Sequence, residues 1–174
     1  MTTRIRNYGQ TKTVDAERSR VRRGAVLLCM LITCATGWAS DDGPKVVPDA
    51  ERAMAAKKHM DGPAKNQGVK SVTALGATEL GNDFAELKGR QLRARELVIE
   101  PGGVVAVHQH DQRPGVAYIL EGEIIEHRND QPEPIVRKQG DTAFEKSGVV
   151  HWWENKSTQP VRALVVDIVP VETK

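Results

Sequence analysis

From Val69 onward, short β-branched and aliphatic runs alternate with clusters rich in Gly, Pro, Asn and Asp. The runs predict strands over 69–75, 91–99, 104–108, 116–120, 123–127, 135–138, 142–145, 149–154 and 161–169. Turn chemistry separates them, in Pro101-Gly102-Gly103, Glu121-Gly122, Asn129-Asp130-Gln131-Pro132 and Gly140-Asp141. Many short strands with frequent turns indicate an all-β domain, an antiparallel sandwich or barrel, over 69–170. Pro170 and the charged tail 171–174 end it.

The pattern before Val69 is different. Residues 40–68 read as a polar connector, and the stretch 48–58 has the proline start and alanine content of a short helix that stops by Gly62-Pro63. His59 at its end reads as a solvated surface residue. Residues 1–39 read as an export signal: Arg20, Arg22 and Arg23 precede the apolar run 25–32, and Gly37-Trp38-Ala39 offers small residues for cleavage after Ala39. The run is too short to span a bilayer, and no later segment reaches the roughly 20 apolar residues required. A buried helix is the alternative, but it leaves the arginines unexplained. Leu31-Ile32-Thr33-Cys34 faintly resembles a lipobox, with Thr a poor fit before the cysteine; the long polar stretch before Val21 suggests a translation start near that residue. The expected location is periplasmic or secreted.

Composition narrows the function. A chain of 174 residues suits one substantial domain. Its formal charge of +2 comes from the leader, since residues 40–174 carry 18 basic against 21 acidic side chains. That balance offers no nucleic-acid or anionic-membrane footprint. Both cysteines, Cys29 and Cys34, lie in the leader, so the exported domain would have no disulfide, thiolate nucleophile or cysteine-based zinc site.

Three histidines carry the candidate chemistry. His108 and His110 stand two residues apart on a predicted strand and so face the same way, a spacing that can chelate. His151 comes from a second strand some forty residues on, so a shared site requires a fold that sets the two strands face to face.

The two stretches resemble the paired motifs of the cupin superfamily. Gly102, His108, His110 and Gly122 match the first motif; Gly140, Gly148, His151 and Asn155 match the second. The resemblance spans roughly 69–170 and implies an antiparallel double-stranded β-helix, or jelly-roll barrel, with a divalent ion (Fe, Mn, Ni or Zn) on His108, His110 and His151. It implies a homodimer as a common assembly. There are two departures: the glutamate that usually serves as fourth ligand falls on Gly115, and the motif proline is Lys146.

Three imidazoles on one face of an ion leave positions for water, substrate or dioxygen. With no motif glutamate, no protein carboxylate is expected to offset the ion's charge, and a carboxylate placed at Gly115 is expected to tighten metal retention. The reading that follows is a metal-dependent oxygenase acting on a small organic acid, diketone or thiol, as in three-histidine cupin-like enzymes. The opposing class is a non-catalytic binder of a small ligand or metal, and a sugar isomerase is disfavoured for want of an acid/base pair. Among neighbours, Trp153 shares the parity of His151 while Trp152 and Tyr118 should face outward. Arg93 and Arg95 read as a solvated edge, with the alternative that one points inward to a carboxylate-bearing substrate. Gln109, Gln112 and Arg113 flank the mouth, Glu126-His127-Arg128 reads as an outer face, Glu121 and Glu123 as solvent-facing, and Asn155 as a turn cap.

Overall fold

The computed structural model describes residues 45–171. The expected export signal, both cysteines and residues 172–174 therefore lie outside the described residues. Helix α1 spans Asp49–Ala56, and eight strands follow: β1 (Gln67–Glu79), β2 (Arg90–Gln109), β3 (Gly115–Glu121), β4 (Glu123–Arg128), β5 (Ile135–Lys138), β6 (Thr142–Glu145), β7 (Val150–Glu154) and β8 (Val161–Pro170). A single turn of 3-10 helix (Ala85–Leu87) sits between β1 and β2. The strands pair antiparallel in the order β5-β4-β7-β2-β8-β3-β6, with β1 added on β2. The result is a nearly closed β-barrel of jelly-roll type. Among the described residues no helix is long and apolar enough to cross a membrane.

Two predicted strands prove to be one. The Pro101-Gly102-Gly103 stretch was expected to break the chain, but β2 runs through it without a gap. Gly102 takes a left-handed φ of 74° there, a conformation that glycine adopts at little cost. The strand changes partners around this bend: residues 90–99 pair with β8, and residues 104–109 pair with β7. One strand thus belongs to both walls of the barrel.

β2 also carries a bulge that decides which way its histidines face. Val105 pairs with Trp153, and the next pair is His108 with His151, so β2 spends three steps where β7 spends two. Strand side chains alternate, so an extra residue reverses parity. Val105 and His108 are both buried as a result, at 2% and 3% exposure. The amides on the bulge find partners in the preceding segment: Ala106 N–H donates to Asn66 Oδ1 at 2.8 Å, and Val107 N–H to the Pro63 carbonyl at 2.9 Å.

The core follows from the alternation on each strand. Ala117 and Ile119 of β3, and Val161, Ala163 and Val165 of β8, point inward with Leu97, Ile99, Val105, Ile124 and Trp153. Tyr118, between Ala117 and Ile119, is exposed as expected, and so are Glu121 and Glu123. Asn155 bridges the turn after β7, its amide donating to the carbonyls of Ile99 and Gln159 and its Oδ1 accepting from Ser157 N–H.

The connector differs from its expectation. Its helix forms and His59 is exposed, but Val46 and Val47 are core residues at 4% exposure each. Glu51 of α1 is buried as well, bonded to Arg113 at 2.9 Å. A polar average concealed an apolar pair, and burial of that pair with the Glu51 ion pair seats the segment on the barrel.

Candidate metal centre

The register brings the three predicted histidines together. His151 pairs with His108 across β7 and β2, and His110 lies just past the end of β2. Their ring centroids are 4.4 to 4.9 Å apart, and all three side chains are buried. His151 Nε2 is 2.8 Å from His110 Nε2 and 3.0 Å from His108 Nε2. Donors about 2.1 Å from a six-coordinate ion at right angles stand about 3.0 Å apart, so these separations suit cis ligands.

The outer nitrogens explain why the inner ones converge. His108 Nδ1 lies 2.8 Å from the Ala106 carbonyl, His110 Nδ1 lies 3.0 Å from the Arg113 carbonyl, and His151 Nδ1 lies 2.8 Å from Glu126 Oε1. Each partner is an acceptor, which places the proton on Nδ1 and leaves the Nε2 lone pair facing inward. Burial, followed by the neighbouring histidines, holds His108 well below its ordinary pKa; burial, then His151 and Arg113, pushes His110 down to about 2. With an acceptor behind each Nδ1, the three Nε2 lone pairs aimed at one another lack hydrogen-bond donors between them. A cation satisfies all three.

The sequence reading missed the fourth donor. Glu145, at 5% exposure, joins the histidines in a group whose donor atoms all lie within 4.8 Å of one another, and it could complete a site for one ion. Its Oε2 is 3.4 Å from His110 Nδ1 and has no hydrogen-bond partner among the described residues. Burial raises its pKa, with His151 and Arg113 acting in opposition; a nearby cation would relieve that cost. The expectation that no carboxylate accompanies the histidines is therefore corrected.

The position of Glu145 accounts for Gly115. The two residues pair directly across β6 and β3, while Gly115 faces Asp167 of β8 on its other side. A Cβ on Gly115 would stand 2.6 Å from the Val166 carbonyl oxygen and 3.0 Å from Asp167 Cβ. The motif position has no room for a side chain, and the carboxylate comes from the neighbouring strand. The expected gain from a carboxylate at Gly115 is withdrawn on the same ground.

Other expectations divide. Trp153 is buried and meets the His151 ring edge-on at 5.5 Å, while Trp152 stacks on His127 at 3.8 Å, outside. Glu126 does not lie on an outer face: it is fully buried and accepts from His151, Arg128 and Arg137 at 2.7 to 2.9 Å. Burial works to raise its pKa, but the hydrogen bonds from His151, Arg137 and Arg128 outweigh it and hold the carboxylate ionised. Arg95, expected on a solvated edge, points inward at 5% exposure, and Arg113 and Gln109 are buried rather than at a mouth. Beside His108 and Glu145 lies a cavity of about 40 Å³, closed in part by Val46 and Val47, with Leu97, Ile119 and Trp153 on its walls.

Residues 95–167 match the family model described as the Cupin domain. The barrel is a cupin. A curated relative, the oxalate-binding protein of Thermotoga maritima, is 37% identical over 70 residues, covering 40% of this chain and 56% of the relative. The chain thus spans little more than half the length of that protein. The cupin domain of Cnp3 from Schizosaccharomyces pombe superposes with a TM-score of 0.48 at 16% identity, over 60% of this chain and 63% of the other. A predicted oxalate decarboxylase from Thermotoga maritima gives 0.41 at 22% identity, over 61% of this chain and 98% of the other. Within the cupin, Glu145 is the residue that motif spacing alone does not find. Its signal was parity: it shares an inward face with Ala143 on β6.

Proposed function

We propose that the protein is an exported metal-binding cupin in which His108, His110, His151 and Glu145 hold one divalent ion, and that it oxygenates a small organic molecule bound beside that ion. The observation that carries the metal reading is the convergence of three Nε2 lone pairs, each fixed by an acceptor behind it, on a buried carboxylate. When bound, the ion would supply Lewis acidity and open positions for substrate and dioxygen. The chain's own part is to orient the rings through Ala106, Arg113 and Glu126, to keep His108 and His110 neutral, and to exclude bulk water with Trp153 and the Val46-Val47 pair.

Elemental analysis with electron paramagnetic resonance on protein purified from its own compartment tests the centre and identifies the ion. We expect one equivalent of metal in the wild type and its loss in the double variant His108→Ala/His151→Ala; equal metal in both would sink the ligand assignment. Oxygen uptake by iron-loaded protein on small acids, diketones and thiols tests the activity.

A second reading, a non-catalytic carboxylate binder of the cell envelope, draws support from the small cavity beside Arg95 and Arg113 and from the oxalate-binding relative. No oxygen uptake on any of the three classes, together with saturable oxalate retention in equilibrium dialysis, would select it. Export rests on the pattern of residues 20–39. An exported chain begins at Ser40 by N-terminal sequencing, whereas a cytoplasmic chain that retains its leader contradicts the reading.

A further inference from the structure

The cavity beside the histidines holds two guanidinium groups whose donors the protein does not use up. Arg95 and Arg113 both line it, at 5% and 2% exposure. Arg95 donates from Nη1 to the Val46 carbonyl at 2.9 Å and from Nη2 to Asp167 at 3.0 Å, while its Nε is buried without a partner. Arg113 donates from Nε to Glu51 at 2.9 Å and from Nη1 to Asp167 at 3.0 Å; its Nη2 is likewise unpartnered. Buried donors without acceptors are costly and rare, and on two charged groups in one cavity they indicate an absent acceptor.

Charge points the same way. Asp167 is shared among Arg93, Arg95 and Arg113, and Glu51 supplies the one other carboxylate bonded to this group. Glu145, the remaining acid on the cavity wall, belongs to the histidine cluster. With its charge directed to a cation, three guanidiniums face two carboxylates. A water would satisfy the donors but leave that imbalance; an anion addresses both. Apart from His108, which belongs to the histidine cluster, the other walls, including Leu97, Ile99, Val105, Ile119 and Trp153, are apolar.

We propose that Arg95 and Arg113 anchor the carboxylate of the cavity's occupant, and that this occupant is a short monocarboxylate whose apolar remainder lies against Leu97, Ile119 and Trp153, within reach of the histidine cluster. The inference deepens the proposed function by naming a substrate class, and it rests on the metal reading for the surplus charge but not for the unpartnered donors. A planar guanidinium is suited to a carboxylate in a way that a lysine ammonium is not. The small volume limits the apolar part to a short chain.

The test is calorimetric titration of the zinc-loaded full chain with propionate, with its neutral isostere propionamide, and with malonate. Zinc keeps the ion redox-inert, and elemental analysis of the same sample reports its content. Propionate should bind, with propionamide and malonate weaker by about tenfold or more. Arg95→Lys and Arg113→Lys, which keep the charge near Asp167 but lose the fork, should each weaken propionate by about tenfold, and in Arg95→Lys, which does not touch the rings, zinc content should stay the same. Equal binding of propionate and propionamide overturns the proposal, and so does the absence of binding by either. Should a lysine variant fail to fold, the propionate and propionamide pair on wild-type protein decides alone. Selective propionate binding by protein that retains no metal would keep this subsite and remove the metal reading; full zinc without propionate selectivity would do the reverse.

Discussion

Two buried polar clusters share the interior of this barrel, and they differ in how far the chain completes them. Around Asp167 the partners are fixed cations: three arginines converge on one carboxylate at 3.0 Å, and most of their donors are met from within. Around His151 the partners are all acceptors, three lone pairs and the Glu145 carboxylate, with no donor among them. The first cluster is offset largely from within and leaves two donors open; the second calls for a cation from outside. Gly115 is the boundary between them, paired to Asp167 on one side and to Glu145 on the other. The contrast teaches that buried charge serves cohesion where opposite signs come from the same chain, and binding where one sign is left out.

Removing the centre of the arginine cluster should have the largest effect. Asp167→Asn leaves Arg95 and Arg113 buried with one acceptor fewer, and denaturant unfolding should show a loss of roughly 3–5 kcal/mol. A loss under about 1 kcal/mol would mean that the arginines find water and that the contrast is overstated. At the boundary, Gly115→Glu should destabilise by roughly 1–3 kcal/mol through its clash with the Val166 carbonyl, with no gain in metal retention measured by chelator competition. Tighter retention would show that the motif position can accept a ligand after all.

On the histidine side, Glu126→Gln keeps the shape but weakens the acceptor behind His151. Metal affinity should fall by about 10–100-fold, and the melting temperature of metal-free protein should fall as well, because Arg128 and Arg137 keep buried charge against a neutral partner. Lower stability with unchanged metal affinity would make Glu126 a structural ion-pair partner of Arg128 and Arg137 only. The smallest expected effect is in acid. Burial tends to raise the pKa of Asp167, but its bonds to Arg93, Arg95 and Arg113 hold it below the ordinary value of 3.8. A carboxylate whose folded pKa is depressed stabilises the fold above its unfolded pKa, and that contribution is lost as pH falls through the folded value. Acid unfolding should therefore show a step below about pH 3.8 that Asp167→Asn lacks; identical profiles would detach the arginine cluster from acid stability.

The strands and the histidine trio were legible because both are local signals. Aliphatic runs and turn residues placed the strands of the barrel to within a few residues, and spacing within two short stretches marked His108, His110 and His151. What stayed hidden depends on register between distant strands. Glu145 looks like the end of a short alternating run until β6 is laid beside β3, when it falls opposite the glycine that lacks a side chain. Arg95 looks like an edge residue until β8 brings Asp167 to the same wall. The Pro101-Gly102-Gly103 stretch misled in the other direction, since local chemistry that permits a turn also permits a bend within one strand. Val46 and Val47 were lost in the polar average of their surroundings.

The additional residue that β2 accommodates between Val105 and His108 sets the rotation of everything beyond it. Excising Val107 would leave the composition of the strand almost untouched and turn His108 and His110 away from His151. Chelation in this barrel thus depends on a count of residues as much as on their identity. The small braces at Asn66 and Pro63 hold that count in place from a stretch that carries no ligand of its own.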